Sequence, residues 1–324
     1  MALQTPEIKA QARCVGFHLV GVASVAQHYD DQYPERLQRW LNQGYQAEMT
    51  WMENPKRRDI LQVFPGARSV ISLGLNYYTD HQRREGAEYG KIARYGWGRD
   101  YHRVLGKKLK ELSCWLTAQD PGVETRFYVD TGPVSDKLWA QRAGLGWIGK
   151  NSNLISRDYG SWLFLGEILI NIDLEPDRPH SQHCGTCRRC LDACPTGAIP
   201  EPFVVDSRRC IAYHTIENQA ETLPTGISSE LQGWVAGCDI CQEVCPWNIR
   251  FAKETDISDF QPYPNNLEPT FRELAQLTEA DWGRHFPASA LRRIKPAQWR
   301  RNAHANLESQ GNNGASADHA GDFI

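Results

Sequence analysis

The sequence predicts an α/β domain over residues 1–175, a compact cysteine-rich domain over 176–255, a basic helical segment over 256–306 that packs on the core, and a disordered tail over 307–324. Three observations carry that division. Strand and helix signals alternate from Thr5 to Leu174; eight of the ten cysteines fall between Cys184 and Cys245; and the stretch from Leu307, LESQGNNGASADHAGDFI, lacks apolar periodicity. At 324 residues the chain can bury more than one core.

The first helix precedes Cys14, and a strand covers GFHLVGV from Gly16. An amphipathic helix follows in YPERLQRWLNQG, and SVISLGLNY, Ser69 to Tyr77, is the next strand. In RDYHRVLGKKLKELSCWL, Leu105, Leu109, Leu112 and Leu116 recur at helical spacing, so this helix buries one face. Asp100 at its start is explained as a cap. The strand ETRFYVD ends at Asp130, before Thr131, Gly132 and Pro133, and Asp136 opens the next helix as a charge at the positive end of the helix dipole. SWLFLGEILINIDL, Ser161 to Leu174, is a further buried strand.

A hydrophobic fraction of 41% is ordinary for a folded protein, and a net charge of −3 gives no global pull toward nucleic acid. Any such site must be a local patch. LRRIKPAQWRR supplies one, with Arg292, Arg293, Lys295, Arg300 and Arg301 around Trp299; it reads either as a solvated helix face or as a surface for a polyanion backbone. The run CVGFHLVGVASVA after Arg13 resembles a signal peptide, but His18 interrupts it and Glu7 and YDDQYPE flank it. No run reaches the roughly 20 apolar residues that span a bilayer. The expected compartment is the cytoplasm, where cysteines serve as ligands rather than disulfides. No membrane partner is expected, and the chain is expected to be a monomer.

Cys184, Cys187, Cys190 and Cys194, with Pro195 next, have the spacing of bacterial two-cluster ferredoxins, in which three cysteines of a run hold one [4Fe–4S] cluster and the fourth crosses to the other. Cys210, Cys238, Cys241 and Cys245, followed by Pro246, make the second half. The crossed rule assigns one cluster to Cys184, Cys187, Cys190 and Cys245 and the other to Cys194, Cys210, Cys238 and Cys241. Zinc would use two CxxC pairs and needs neither the third cysteine nor the proline. About 180 residues precede the first ligand, so the clusters are read as a wire feeding chemistry in the N-terminal domain.

GLGWIG, from Gly144, does not open a helix after a strand and is discounted as a dinucleotide loop. DYHRVLG approaches the DxHxxG signature of a cobalt-ligating histidine, but its glycine stands one position late. Asp130, at a strand–loop junction, is open to two readings, catalysis and turn structure.

FPGARSVISLGLNYY, ARYGWGRDYHRVL, VDTGPVSDKLWAQRAGLGWIGKN, CGTCRRCLDACPTGAI and GCDICQEVCPWN together resemble the epoxyqueuosine reductases, and the likeness extends to SALRRIKPAQWRRNA. The resemblance implies a cobalamin-binding N-terminal domain joined to the two-cluster domain, and an enzyme related in its cofactors to reductive dehalogenases. Its substrate would be tRNA carrying epoxyqueuosine at the wobble position, reduced to queuosine in the last step of that base's synthesis. It implies Asp130 as the proton donor, and Arg57, Leu154, Leu165, Asp239 and Ile240 as contacts to a base-off corrinoid without a histidine on cobalt. An external low-potential donor would supply electrons. Two departures stand out: Ala93 occupies a position where some members carry a cysteine, and Ala212 and His214 follow Cys210 where a serine and an apolar residue are expected. Two other readings remain at this point: a corrinoid iron–sulfur reductase of a small molecule, and an electron-transfer module without cobalamin.

Overall fold

Runs rich in valine, isoleucine and leucine form the strands β1 (Leu19–Ser24), β2 (Ser69–Asn76) and β4 (Leu163–Ile170), and the threonine and aromatic residues of TRFY form β3 (Thr125–Tyr128). The computed structural model describes residues 3–27 and 32–317, the side chains of 312–317 excepted. In it the strands form one sheet in the order β1-β2-β4-β3, with every neighbouring pair antiparallel. Helix α3 (Tyr101–Gln119) connects β2 to β3, which run the same way two places apart, and β4 lies antiparallel between them. This split βαβ unit gives the alternating strand–helix signal of an α/β chain while the sheet itself is of α+β type.

Both sheet faces are covered, so all eight residues of β2 are buried and no polar alternation marks the strand. Ile71, Leu73, Leu75 and Ile168 pack against helix α1 (Thr5–Cys14) and the Leu105, Leu109, Leu112 and Leu116 stripe of α3. Val70 and Leu169 face the other way, toward Trp139 and Ala140 of helix α4 (Asp136–Arg142). Glu167 shares that second face and stands opposite Ser72 and Tyr128 in register.

The cysteine-bearing segment is built mainly of short helices, Arg189–Asp192, Ile211–Ile216, Thr225–Ser228, Ile240–Glu243 and Pro246–Phe251, with a short strand Trp234–Ala236 and connecting loops. A third core, with Trp97, Phe271, Phe286 and Trp299 at its centre, fastens residues after 256 to the rest. Trp299 stacks on Phe286 with ring centroids 4.5 Å apart. One expectation is corrected here: residues 307–317, read as disordered, continue the helix Pro296–Ala317. Asn302 and Asn306, buried upstream, donate to the carbonyls of Thr215, Val235 and Trp234, and a helix anchored there propagates without apolar periodicity of its own. Residues 318–324 lie outside the described residues. Among the described residues no helix is long and apolar enough to cross a membrane.

Candidate functional site

The eight cysteines between Cys184 and Cys245 form no disulfide and gather in two neighbouring groups. Burial, then the thiolates of Cys245, Cys184 and Cys187, push the Cys190 thiol up to about 11. Burial raises Cys241 as well, with Cys210, Asp239, Cys190 and Cys194 adding to it, and Cys238 rises through burial with Cys241 and Cys210 beside it. Cys190 thus has as neighbours the other three of the set Cys184, Cys187, Cys190 and Cys245, whereas Cys241 feels Cys190 as well as Cys210 and Cys194 of the set Cys194, Cys210, Cys238 and Cys241, so the two expected sets lie side by side. Crowded, buried thiolates repel one another and call for bound cations. Among the described residues no three His, Cys, Asp or Glu side chains converge as on a single ion. The donor set therefore suits polynuclear clusters, whose thiolates bind different irons.

Local structure prepares these sulfurs. Cys210 and Cys245 each stand immediately before a short helix, and the backbone N–H groups of Tyr213 and Ala212, and of Trp247 and Asn248, donate to them. The Ala198 N–H donates to the Cys194 sulfur at 3.3 Å. Such bonds stabilise thiolates and tune cluster potential.

A cavity of about 1010 Å³ lies against the second group of cysteines. Cys194, Cys210, Cys238 and Cys241 form one wall, while Leu37 and Trp40, from helix α2 (Tyr33–Asn42), stand among the apolar lining residues. Its size is at the upper end for small-molecule sites and exceeds what a cluster alone would fill. A macrocyclic cofactor held here would be bordered by Leu37 and Trp40 on one side and by Ile240 and these cysteines on the other. Lys137 lines the cavity, donating to Ser152 O at 3.0 Å and to Asn153 Oδ1 at 2.9 Å. Burial lowers its pKa, against the charges of Cys241 and Asp130, so this ammonium feels both the inner cysteines and the candidate acid.

Asp130 adopts φ +53°, a strained left-handed conformation for a non-glycine residue. Its carboxylate accepts from the Tyr101 hydroxyl at 2.9 Å and lies 3.3 Å from His102 Nε2. The other ring nitrogen of His102 is 2.8 Å from Asp100 Oδ1, which also caps the His102 N–H at 3.0 Å. Tyr101 is held by stacking on Phe164, rings 4.3 Å apart and 6° from parallel. Burial works to lower the His102 pKa, but bonds to Asp100 and Asp130 lift it to about 9. Burial works to raise Asp130, yet His102 and Tyr101 hold it below the usual carboxylate range. A general acid with a raised pKa is thus not what the structure provides at Asp130, whose side chain is 57% exposed; the stored proton sits on His102.

Arg57 fixes the loop beyond Asp130, donating to Gly132 O at 3.1 Å and Val134 O at 3.4 Å while lying over the Trp51 ring at 4.8 Å. Deeper, Asp136 faces Glu167: burial, then the Asp136 charge, raises the Glu167 carboxyl, while burial raises Asp136 against the bond from Glu167, with the Asp130 charge adding to the rise. Glu167 is fully buried and neither oxygen meets a donor, so it is held as the neutral acid. Asp136 is therefore more than a helix-end charge.

The residues named for the corrinoid are not gathered on one wall. Ile240 lines the large cavity, Arg57 a smaller one of about 430 Å³. Leu154 is buried in the core on the α4 face and Leu165 packs against it. Asp239, buried, accepts from the Arg94 N–H at 2.7 Å and pairs with Arg83 at 3.5 Å. Ala93 is buried and Ala212 lines the large cavity. His214 is a satisfied core residue, with Arg208 O at 2.7 Å and Asn218 Nδ2 at 2.9 Å.

The basic run is also redistributed. Arg301 donates to the carbonyls of His214, Asn218 and Ala220, and Arg300 to Leu277 O, so these two are framework cations rather than free ones. Arg293 pairs with Glu217 at 2.6 Å, and Arg292 and Lys295 lie over Trp282. Trp97, by contrast, is 1% exposed, and its indole N–H donates to Ile92 O. Trp51 and Phe203 are the exposed aromatics beside the cavities. Sequence reasoning passed over Tyr101, Glu167 and Lys137; YH ahead of the leucine stripe was the available signal for the first.

Two family models match: "Epoxyqueuosine reductase QueG, DUF1730" over residues 57–131 and "4Fe-4S double cluster binding domain" over 183–248. The chain is 66% identical over 289 residues to an epoxyqueuosine reductase of Synechocystis sp., covering 89% of this chain and 100% of that one. Identity to the epoxyqueuosine reductase of Gloeobacter violaceus is 51% over 320 residues, 98% and 100% of the two chains. An epoxyqueuosine reductase crystallised with an epoxyqueuosine-modified tRNA-Tyr stem loop superposes with TM-score 0.86 at 29% identity, covering 94% of this chain and 80% of that one. The Bacillus subtilis enzyme, solved with its catalytic aspartate loop swung out of the active site, gives TM-score 0.82 at 28% identity, with 94% and 81% covered.

Proposed function

The chain belongs to the epoxyqueuosine reductase family, and from that premise we propose that it removes the epoxide oxygen of epoxyqueuosine in tRNA to leave queuosine. The carrying observation is the cavity walled by Cys194, Cys210, Cys238 and Cys241, with Lys137 on its lining feeling the charges of both Cys241 and Asp130, so that the candidate acid stands near the cluster ligands. The conversion takes two electrons and two protons, breaks both C–O bonds of the epoxide, forms the C=C bond and releases water. Bound cobalamin supplies strongly reducing cobalt to which the clusters deliver electrons one at a time.

The protein's own share is order and protons. Cys184, Cys187, Cys190 and Cys245 hold the outer [4Fe–4S] cluster; Cys194, Cys210, Cys238 and Cys241 hold the inner one, against the cavity. Ile240 and the apolar side chains of α2 would bound the space for the corrinoid; Arg57 lines the smaller cavity, Leu154 and Leu165 lie in the core on the α4 face, and Asp239 is tied to Arg94 and Arg83. Asp130 takes a proton from His102 as the entering base displaces water and raises the carboxylate's affinity for it, then passes it to the leaving oxygen. Arg57 holds the Gly132–Val134 loop so that Asp130 keeps its reach.

A wobble base must leave the anticodon stack to arrive here. Trp51 and Phe203 provide aromatic surface for it, and Arg292, Arg293 and Lys295 provide charge for the backbone. A tRNA substrate places the reaction in the cytoplasm, with the enzyme acting as a monomer. The test is anaerobic reconstitution with cobalamin, a strong reductant and epoxyqueuosine tRNA, followed by nucleoside mass spectrometry. Loss of one oxygen only when cobalamin is present supports the assignment. An unchanged nucleoside, with clusters and cobalamin bound, would shift it to a small-molecule reductase.

A further inference from the structure

Electrons must enter the protein somewhere, and the two cysteine groups are not equally placed for it. The group of Cys194, Cys210, Cys238 and Cys241 lines the internal cavity, whereas the loop of the other group reaches the surface at Gly185 and Thr186, both exposed. Gly185 takes φ +50° with open space around it. Trp147, His183 and Trp247 enclose that outer group: Trp147 meets His183 and Trp247 at 4.7 Å, and Trp247 stacks on Phe251 at 5.2 Å. Cys184, Cys245, Trp147 and Trp247 belong to one packed cluster.

Around this cage basic residues predominate. Residues 150–158, 183–192 and 246–253 carry six Lys or Arg and two Asp, with Glu254 and Asp256 just beyond at the Tyr159 edge, in a chain of net charge −3. Arg157 sits 3.0 Å from His183, Lys253 lies over Tyr159, and Arg250 over Phe251, so the three segments form one surface. Arg188 and Arg189 are exposed beside the Cys187–Cys190 turn, and Ile249, 66% exposed, sits among the cations. An exposed apolar residue ringed by basic side chains over an outer redox centre has the form of an electron-transfer docking site, with complementarity steering encounter and an apolar contact excluding water.

We propose that this face, formed by Arg157, Arg188, Arg189, Ile249, Arg250 and Lys253, docks an acidic one-electron carrier protein that reduces the outer cluster. The inference rests on the cluster assignment above. Electrons then pass from the outer to the inner cluster, two single-electron deliveries serving each turnover.

The test uses the reconstituted holoprotein and two reductants: a photoreduced acidic [2Fe–2S] ferredoxin as the protein probe, and photoreduced deazaflavin as a small one. Stopped-flow bleaching of cluster absorbance is followed in the wild type, in Arg157→Glu/Arg250→Glu/Lys253→Glu, and in a remote control, Lys107→Glu/Lys110→Glu on α3. Reduction by ferredoxin slows as salt rises in the wild type and falls on the order of tenfold or more in the triple variant, while the control and deazaflavin rates stay unchanged. An equal ferredoxin rate in the triple variant, an equal loss in the control, or a wild-type rate insensitive to salt would overturn the docking site. Absence of cluster absorbance and of a reduced-cluster EPR signal would instead overturn the cluster assignment itself.

Discussion

The Tyr101 hydroxyl donates to Asp130 Oδ2 at 2.9 Å, and the same carboxylate oxygen faces His102 Nε2 at 3.3 Å. Two consecutive residues at the start of α3 thus hold one strained aspartate two residues beyond the end of β3. Asp130→Asn keeps the shape but carries no transferable proton, so deoxygenation should stop while cluster absorbance and cobalamin binding persist. Tyr101→Phe should leave a slower enzyme, reduced roughly tenfold, because one of two orienting bonds is lost. Nucleoside mass spectrometry of single-turnover reactions reads both.

The His102 proton should set the alkaline limb of activity. With its pKa raised to about 9 by Asp100 and Asp130, the imidazolium is intact at neutral pH and disappears as pH climbs through that value. Its contribution to stability follows the same sign: fully present below the ordinary value of 6.5 and lost as pH rises through about 9. His102→Gln should remove the limb near pH 9 from the kcat profile and lower kcat at neutral pH.

Glu167 has the opposite consequence for stability. Burial holds the folded carboxyl neutral well above its ordinary 4.5, so folding takes up a proton and stability declines as pH rises beyond that value. Glu167→Gln is nearly isosteric and does not titrate. Thermal unfolding should show the variant gaining on the wild type between pH 5 and 8.

Cys241→Ser should empty the inner site alone. The protein should keep about half its iron and the outer cluster's EPR signal, yet fail to reduce bound cobalamin. Loss of both clusters together would instead mean that the two sites assemble as one unit.

Arg301→Ala and Arg292→Ala/Lys295→Ala should separate framework from surface. Arg301 satisfies three carbonyls, and its removal should cost about 2 kcal/mol, read as a drop in Tm. The Arg292/Lys295 pair should leave Tm unchanged and flatten the salt dependence of tRNA binding.

The cysteine spacing determined the cluster chemistry, because three ligands two residues apart converge on one centre whatever the surrounding fold, while the fourth, one residue further on and before a proline, is turned toward a second centre. The leucine stripe of α3 and the apolar run of β2 likewise followed from local pattern. The antiparallel insertion of β4 between β2 and β3 was decided only by the tertiary structure, since periodicity marks a strand and carries no information on its neighbour. The same holds for charge: Arg301 and Arg292 read alike as exposed cations, and only packing turns one toward backbone carbonyls and the other over Trp282. Asp130 was visible as a junction carboxylate, but its ionised state was not, because a pKa belongs to the neighbours that folding brings, here Tyr101 and His102 from 29 and 28 residues away.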